Sequence, residues 1–143
     1  MIRTGAFCLL VLLLVSGVSC SRYEEGPNFS MRSKFQRACN VWVINKVFKD
    51  GNDITTDFTS YYRNFQLNIF DTKTYTKSWT TNVAILYDEA GTWKFTDAKT
   101  KLYFGNTRGD YEYKILRLAN LQLWVEYEEN GSTYQLQLRG LIP

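Results

Sequence analysis

"LQLWVEYEENGSTYQLQLR", residues 121–139, decides the fold. Leu121, Leu123, Val125 and Tyr127 recur at every second position, and after a break Tyr134, Leu136 and Leu138 do the same. A period of two is that of a β-strand with one buried face. Between the two runs stands Asn130-Gly131, the strongest short hairpin signal, because the tight turns that suit twisted strands need positive φ at their central residues. Two antiparallel strands are therefore expected, with both alternating sets pointing inward.

Working back from this hairpin, the chain divides into further short runs rich in β-branched and aromatic residues, separated by Gly, Asn and Asp. "YEYKILRL" carries Tyr111, Tyr113 and Ile115 on one parity and Leu116 and Leu118 on the other, which predicts a bulge near Ile115. "KLYFG" turns Leu102 and Phe104 inward, "TWKFT" turns Trp93 and Phe95 inward, and "NFQLNIF" does so with Phe65, Leu67 and Ile69. "TYTKSWT" follows a tight Asp71-Thr72 turn, and "NVWVINKVF" is the first run. Eight antiparallel strands in succession remove their exposed edges most simply by closing into an up-and-down barrel. The fold class is thus all-β, an eight-stranded antiparallel barrel, with a short helical turn around 33–38 before the first strand. The long gap 52–63, "NDITTDFTSYYR", lacks alternation and is expected to form a loop or short helix capping one end.

The N-terminal stretch reads differently. Arg3 precedes an apolar run over residues 6–18, too short for a membrane span, which needs about 20 residues. A positive start, a short apolar segment and small residues before a candidate cut describe a removed secretory signal, residues 1–19. The cut would fall before Cys20, and Val18-Ser19-Cys20 resembles a bacterial lipoprotein signal, which implies acylation of Cys20 and anchoring in a membrane; an ordinary secretory signal is the alternative. Two or more acyl chains suffice for stable anchoring. Residues 20–37 are polar, contain Gly26-Pro27 and read as a tether. Residues 38–143 form the barrel domain. Glu24 and Glu25 behind the cysteine resemble signals that route lipoproteins to the outer membrane, leaving open which face the domain occupies.

Composition excludes several function classes. The formal net charge is +3, spread along the chain, which is no nucleic-acid footprint. Cys8 would leave with the signal and Cys20 would be modified, so Cys39 stands alone as a small buried hydrophobe, without a disulfide framework or a zinc site. The sequence contains no histidine, which removes the commonest general base and metal ligand. Asp88-Glu89 and Glu128-Glu129 fall where turns are expected and read as solvated carboxylates. Gly105 to Gly109 reads as a hairpin loop. No cofactor and no catalytic residues are expected.

Trp42, Asp50-Gly51, Ile54-Thr55, Gly91-Thr92-Trp93 and "YKILRLANLQLWVEY" over 113–127 together resemble the small lipocalin-like domains of Gram-negative bacterial lipoproteins. The resemblance covers about residues 38–140 and implies a barrel able to take a small ligand. The chain has Asn40-Val41-Trp42 where lipocalins commonly carry Gly-x-Trp.

Aromatic residues make up 16% of the chain. Most should fill the barrel, since each such ring buries a large apolar area. A subset, Trp79, Trp93, Tyr111 and Tyr113, is a candidate lining for an apolar ligand. Lys77 shares parity with Tyr75 and Trp79; pointing inward it would pair with an acidic head group, and otherwise it would snorkel at the rim. Candidate ligand contacts are therefore Trp79, Lys77, Tyr111 and Tyr113 at one open end, under the 52–63 segment. The ligand would be no larger than a fatty acid. Two functions stand side by side: a membrane-anchored, non-enzymatic binding module for a small apolar or amphipathic molecule, and a filled barrel that docks another envelope protein.

Overall fold

Asn130 and Gly131 adopt φ of 50° and 77°, the left-handed pair that an Asn-Gly hairpin requires. They join β8 (Gln122–Glu129) to β9 (Ser132–Gly140), with Leu123 opposite Leu138, Val125 opposite Leu136 and Tyr127 opposite Tyr134. The computed structural model describes residues 31–143; the signal segment 1–19, Cys20 and most of the tether lie outside the described residues. Before this hairpin come α1 (Lys34–Ala38), β1 (Val41–Lys49), β2 (Asn52–Asp53), α2 (Thr55–Tyr61), β3 (Arg63–Ile69), β4 (Thr74–Thr80), β5 (Leu86–Thr96), β6 (Lys101–Asn106) and β7 (Gly109–Ala119).

From β3 to β9 each strand pairs antiparallel with the next, and β9 returns to pair with β1 from Gly140 opposite Trp42 to Tyr134 opposite Lys49. The result is a closed eight-stranded barrel, with the two-residue β2 appended to the end of β1. The pairing of β7 with β8 shifts between Ile115 and Arg117, so Ile115, Leu116 and Leu118 are all buried. One seam is incomplete. β1 pairs with β3 only over Val41–Val43, and farther along the backbone of Val47 is satisfied instead by Thr55 Oγ1 and the Ile54 amide at the start of α2. A strand edge inside a barrel must find such partners, and this requirement holds α2 against one end.

The opposite end is plugged by α1. Its capping box is complete, Ser33 Oγ accepting from the Gln36 amide while Gln36 Oε1 accepts from the Ser33 amide. Trp42 is fully buried and donates its indole N–H to the Ala38 carbonyl at 2.9 Å. Trp93 donates to the Phe70 carbonyl at 2.8 Å and stacks on Phe35. Above this plug lies the core, with Leu67, Leu102, Phe104, Leu118, Leu123 and Val125 all removed from solvent.

Two expectations are corrected here. Leu121 does not point inward: it sits in the β7–β8 turn, 40% exposed, because β8 begins only at Gln122. β5 begins at Leu86, well before the "TWKFT" run, so Asp88 and Glu89 lie in a strand and not in a turn. Gly91, in the middle of that longer strand, has a packing reason: a Cβ there would lie 2.1 Å from the Gly105 carbonyl oxygen on β6. Backbone approaches of this kind exclude any side chain.

Candidate functional site

Alternation along each strand sends a polar set into the end of the barrel beneath α2. Lys77 of β4 lies directly opposite Glu89 of β5, and Phe104 of β6 directly opposite Tyr111 of β7. Lys77 Nζ is 2.9 Å from Glu89 Oε1, both side chains being 12% exposed. The same ammonium donates to the Tyr111 hydroxyl at 2.8 Å, and Tyr111 in turn donates to Glu89. Tyr75 donates to the same carboxylate oxygen at 3.0 Å and accepts from Asn106 Nδ2 at 2.9 Å. Lys77 therefore does not snorkel at the rim. It points inward, and its charge is already matched within the barrel.

The electrostatics follow from this geometry. Burial alone would raise the Glu89 pKa, but the hydrogen bond from Tyr111, the Lys77 ammonium and the Tyr75 hydroxyl overcome burial and hold the carboxyl below its ordinary value. Burial lowers the Lys77 pKa, more than Glu89 raises it. Burial also pushes the Tyr111 and Tyr113 phenols well above their ordinary value, so both stay neutral donors. The lone described cysteine, Cys39, is half-buried at the opposite end, and its thiol is pushed up by burial and by Asp71, the reverse of what a reactive thiol needs.

Above this polar floor is a cavity of about 520 Å³, within the roughly 300–1,000 Å³ range of small-molecule sites. Lys77, Trp79, Tyr111 and Tyr113 all line it. Phe58 and Tyr62, carried by α2 and the residue after it, stack on each other at 4.5 Å and line the same space. The 52–63 segment thus supplies one wall. Tyr62 meets the edge of Trp79 at 5.8 Å, and Tyr113 lies 5.2 Å from Tyr127. Phe65 and Leu136 contribute apolar surface. Glu129, in phase with Tyr127, lies at the exposed rim. Trp93, the remaining candidate, is not in this lining; it belongs to the plug at the other end.

Residues that sequence reasoning missed include Glu89, Tyr75 and Asn106. A signal for each was present: Glu89 is in phase with Gly91 and Trp93, Tyr75 with Lys77, and Asn106 with Phe104. No group of acidic, cysteine or histidine side chains suited to a metal ion occurs among the described residues, and no described helix is long and apolar enough to cross a membrane.

No protein-family model matches the chain, and no curated protein matches it. Solved structures do. A lipocalin-like protein from Bacteroides uniformis aligns with a TM-score of 0.56 at 12% identity, over 73% of this chain and 99% of its own. The fold is lipocalin-like. An uncharacterized protein from Bacteroides eggerthii aligns with a TM-score of 0.48 at 8% identity, over 71% of this chain and 98% of its own. The lipocalin-like barrel here has its end opposite α1 lined by aromatic rings around an internal ion pair, and the chemistry of that lining bears on function.

Proposed function

We propose that this chain is a lipid-anchored binding module of the cell envelope, non-enzymatic, whose lipocalin-like barrel takes one small amphipathic molecule into its mouth. The single observation that carries the reading is the 520 Å³ cavity, with aromatic walls, a few convergent polar groups and an otherwise filled barrel beneath it. Its walls bring Trp79 within sensing distance of any occupant. Titrating the protein with small amphiphiles is expected to give a saturable change in tryptophan emission, lost in Trp79→Ala with the melting transition retained. Absence of any response across fatty acids, amines and neutral alcohols would overturn the reading.

Anchoring rests on the sequence around Cys20. Mature protein is expected to partition into detergent and to carry acyl mass at its N-terminus, whereas Cys20→Ala should leave it in the aqueous phase. An unmodified Cys20 thiol in the mass spectrum would refute the anchor. The docking alternative has its own observation, an exposed apolar edge of Val83, Ile85, Leu86 and Tyr87 beside the mouth. Apolar patches of this kind mark interaction sites when they are contiguous. A partner bound there would cover Tyr87, which stacks on Trp79 at 5.5 Å, so it too would move tryptophan emission; calorimetry separates the readings, since the docking alternative expects no saturable heat from the small amphiphiles.

A further inference from the structure

We infer that the occupant of the cavity is an organic cation, an amine or quaternary ammonium with an apolar body, its charged head at the mouth against Glu129 and the rings of Tyr62 and Tyr127. The inference rests on the binding-module reading above and adds the chemical class.

The charges inside the barrel select the sign of the occupant. The interior lysine could serve a carboxylate ligand only if its charge were free, and it is not: Glu89 lies 2.9 Å away and two phenols hydrogen-bond to that carboxylate. A buried, hydrogen-bonded pair of this kind presents little net field. Glu129 is different. It stands in phase with the inward residues Leu123, Val125 and Tyr127, lines the cavity rim, and makes no ion pair among the described residues. Its negative charge reaches the rings beneath it, raising the phenol pKa values of both Tyr62 and Tyr127 after the larger effect of burial. The mouth is therefore negative.

The walls agree with that sign. Aromatic faces carry negative electrostatic potential and attract ammonium groups within about 6 Å, most strongly when water is excluded. The chain already uses this interaction with its own cations: Lys77 Nζ lies 4.2 Å from the centroid of Tyr111 and 5.7 Å from that of Trp79. Lys49 lies 5.4 Å over Tyr134, which stacks on Tyr127; Lys49 does not line the cavity and faces the far ring of that stack. Among the described residues no cation lies over the rings of Tyr62 or Tyr127, and only Lys77 lies over that of Trp79. The Tyr113 and Tyr127 hydroxyls have no hydrogen-bond partner among the described residues. They can accept from ammonium N–H groups, whereas a carboxylate would meet Glu129 without a compensating charge. Phe58, Phe65 and Leu136 then accommodate the apolar body.

The test compares three soluble probes of one shape, 4-phenylbutylamine, 4-phenylbutanol and 4-phenylbutyrate, titrated into the full-length protein and read by tryptophan emission and calorimetry. The amine is expected to bind roughly tenfold more tightly than the alcohol and the butyrate most weakly, with the amine's advantage shrinking as salt rises. Glu129→Gln should weaken the amine by about five- to tenfold while changing the alcohol by less than about twofold. Butyrate binding as tightly as the amine, or an amine affinity indifferent to Glu129→Gln, would overturn the cation assignment and leave the binding module standing. Failure of all three probes would overturn both.

Discussion

Trp42→Ala is expected to lower the stability of the barrel by about 3–5 kcal/mol, the usual penalty for truncating a large buried aromatic. Against a total of roughly 5–15 kcal/mol for a domain of this kind, that loss removes a large part of the folded population. Three effects converge on the residue. Its indole is fully buried, so truncation leaves a void that closed strands cannot collapse. The Ala38 carbonyl at the end of α1 loses its donor, and an orphaned buried acceptor costs more than the net value of the bond. The ring also lies on the β9 seam, where a Cβ on Gly140 would meet Trp42 Cζ3 at 3.2 Å and Asn40 Nδ2 at 2.8 Å. Trp42 therefore fastens the plug helix, β1 and the closing strand at one point. Urea denaturation followed by far-ultraviolet circular dichroism measures the change, and Trp42→Phe should cost distinctly less by retaining most of the volume. A midpoint unchanged in the alanine variant would show that the first strand faces the other way.

The sequence carried this end of the barrel well, because there the ordinary rule holds: apolar residues point in and polar ones out. Trp42, Leu67, Leu102, Phe104 and Leu123 were legible from alternation or from the family resemblance and are buried. The parity change in β7 announced its bulge for the same reason. At the other end the rule inverts. Leu86 and Tyr87 are 67% and 42% exposed while Glu89 points inward, so the first half of β5 looked like a charged turn. Leu121 departs from the alternation for a simpler cause: the inward parity of β8 continues one residue past the strand, into the turn that exposes it. Trp79, Tyr111 and Tyr113 could be placed near one another as aromatic residues of neighbouring runs. The partner of Lys77 could not, since it depends on the register between β4 and β5, which no single run encodes.

That partnership yields the second large effect. Lys77→Met is expected to destabilise the protein by about 3–5 kcal/mol, because removing one member of a buried pair leaves the other charge without compensation. Here the uncompensated group would be Glu89, still held by Tyr75 and Tyr111 but deprived of its counter-charge. Glu89→Gln should be costly too, stranding an ammonium at 12% exposure. The double variant Lys77→Met/Glu89→Gln is expected to recover most of the loss, since neither charge then needs solvation and the amide can still accept from the two phenols. The pH dependence has a definite sign. Glu89 has its carboxyl held below the ordinary value in the fold, so its contribution is present above the unfolded carboxyl range and disappears as acid takes the pH down through the lowered folded value. Lys77 has a lowered folded pKa, so stability from that group rises with pH between the lowered value and the ordinary lysine range. With no histidine in the sequence, the range between these two ends should be flat. Denaturant midpoints from pH 3 to pH 10 for the wild type and the three variants test the whole scheme: the wild type should lose stability in acid more steeply than Glu89→Gln. Additive single losses in the double variant would mean that the two side chains do not act as a pair, and that the mouth of the barrel carries a free positive charge after all.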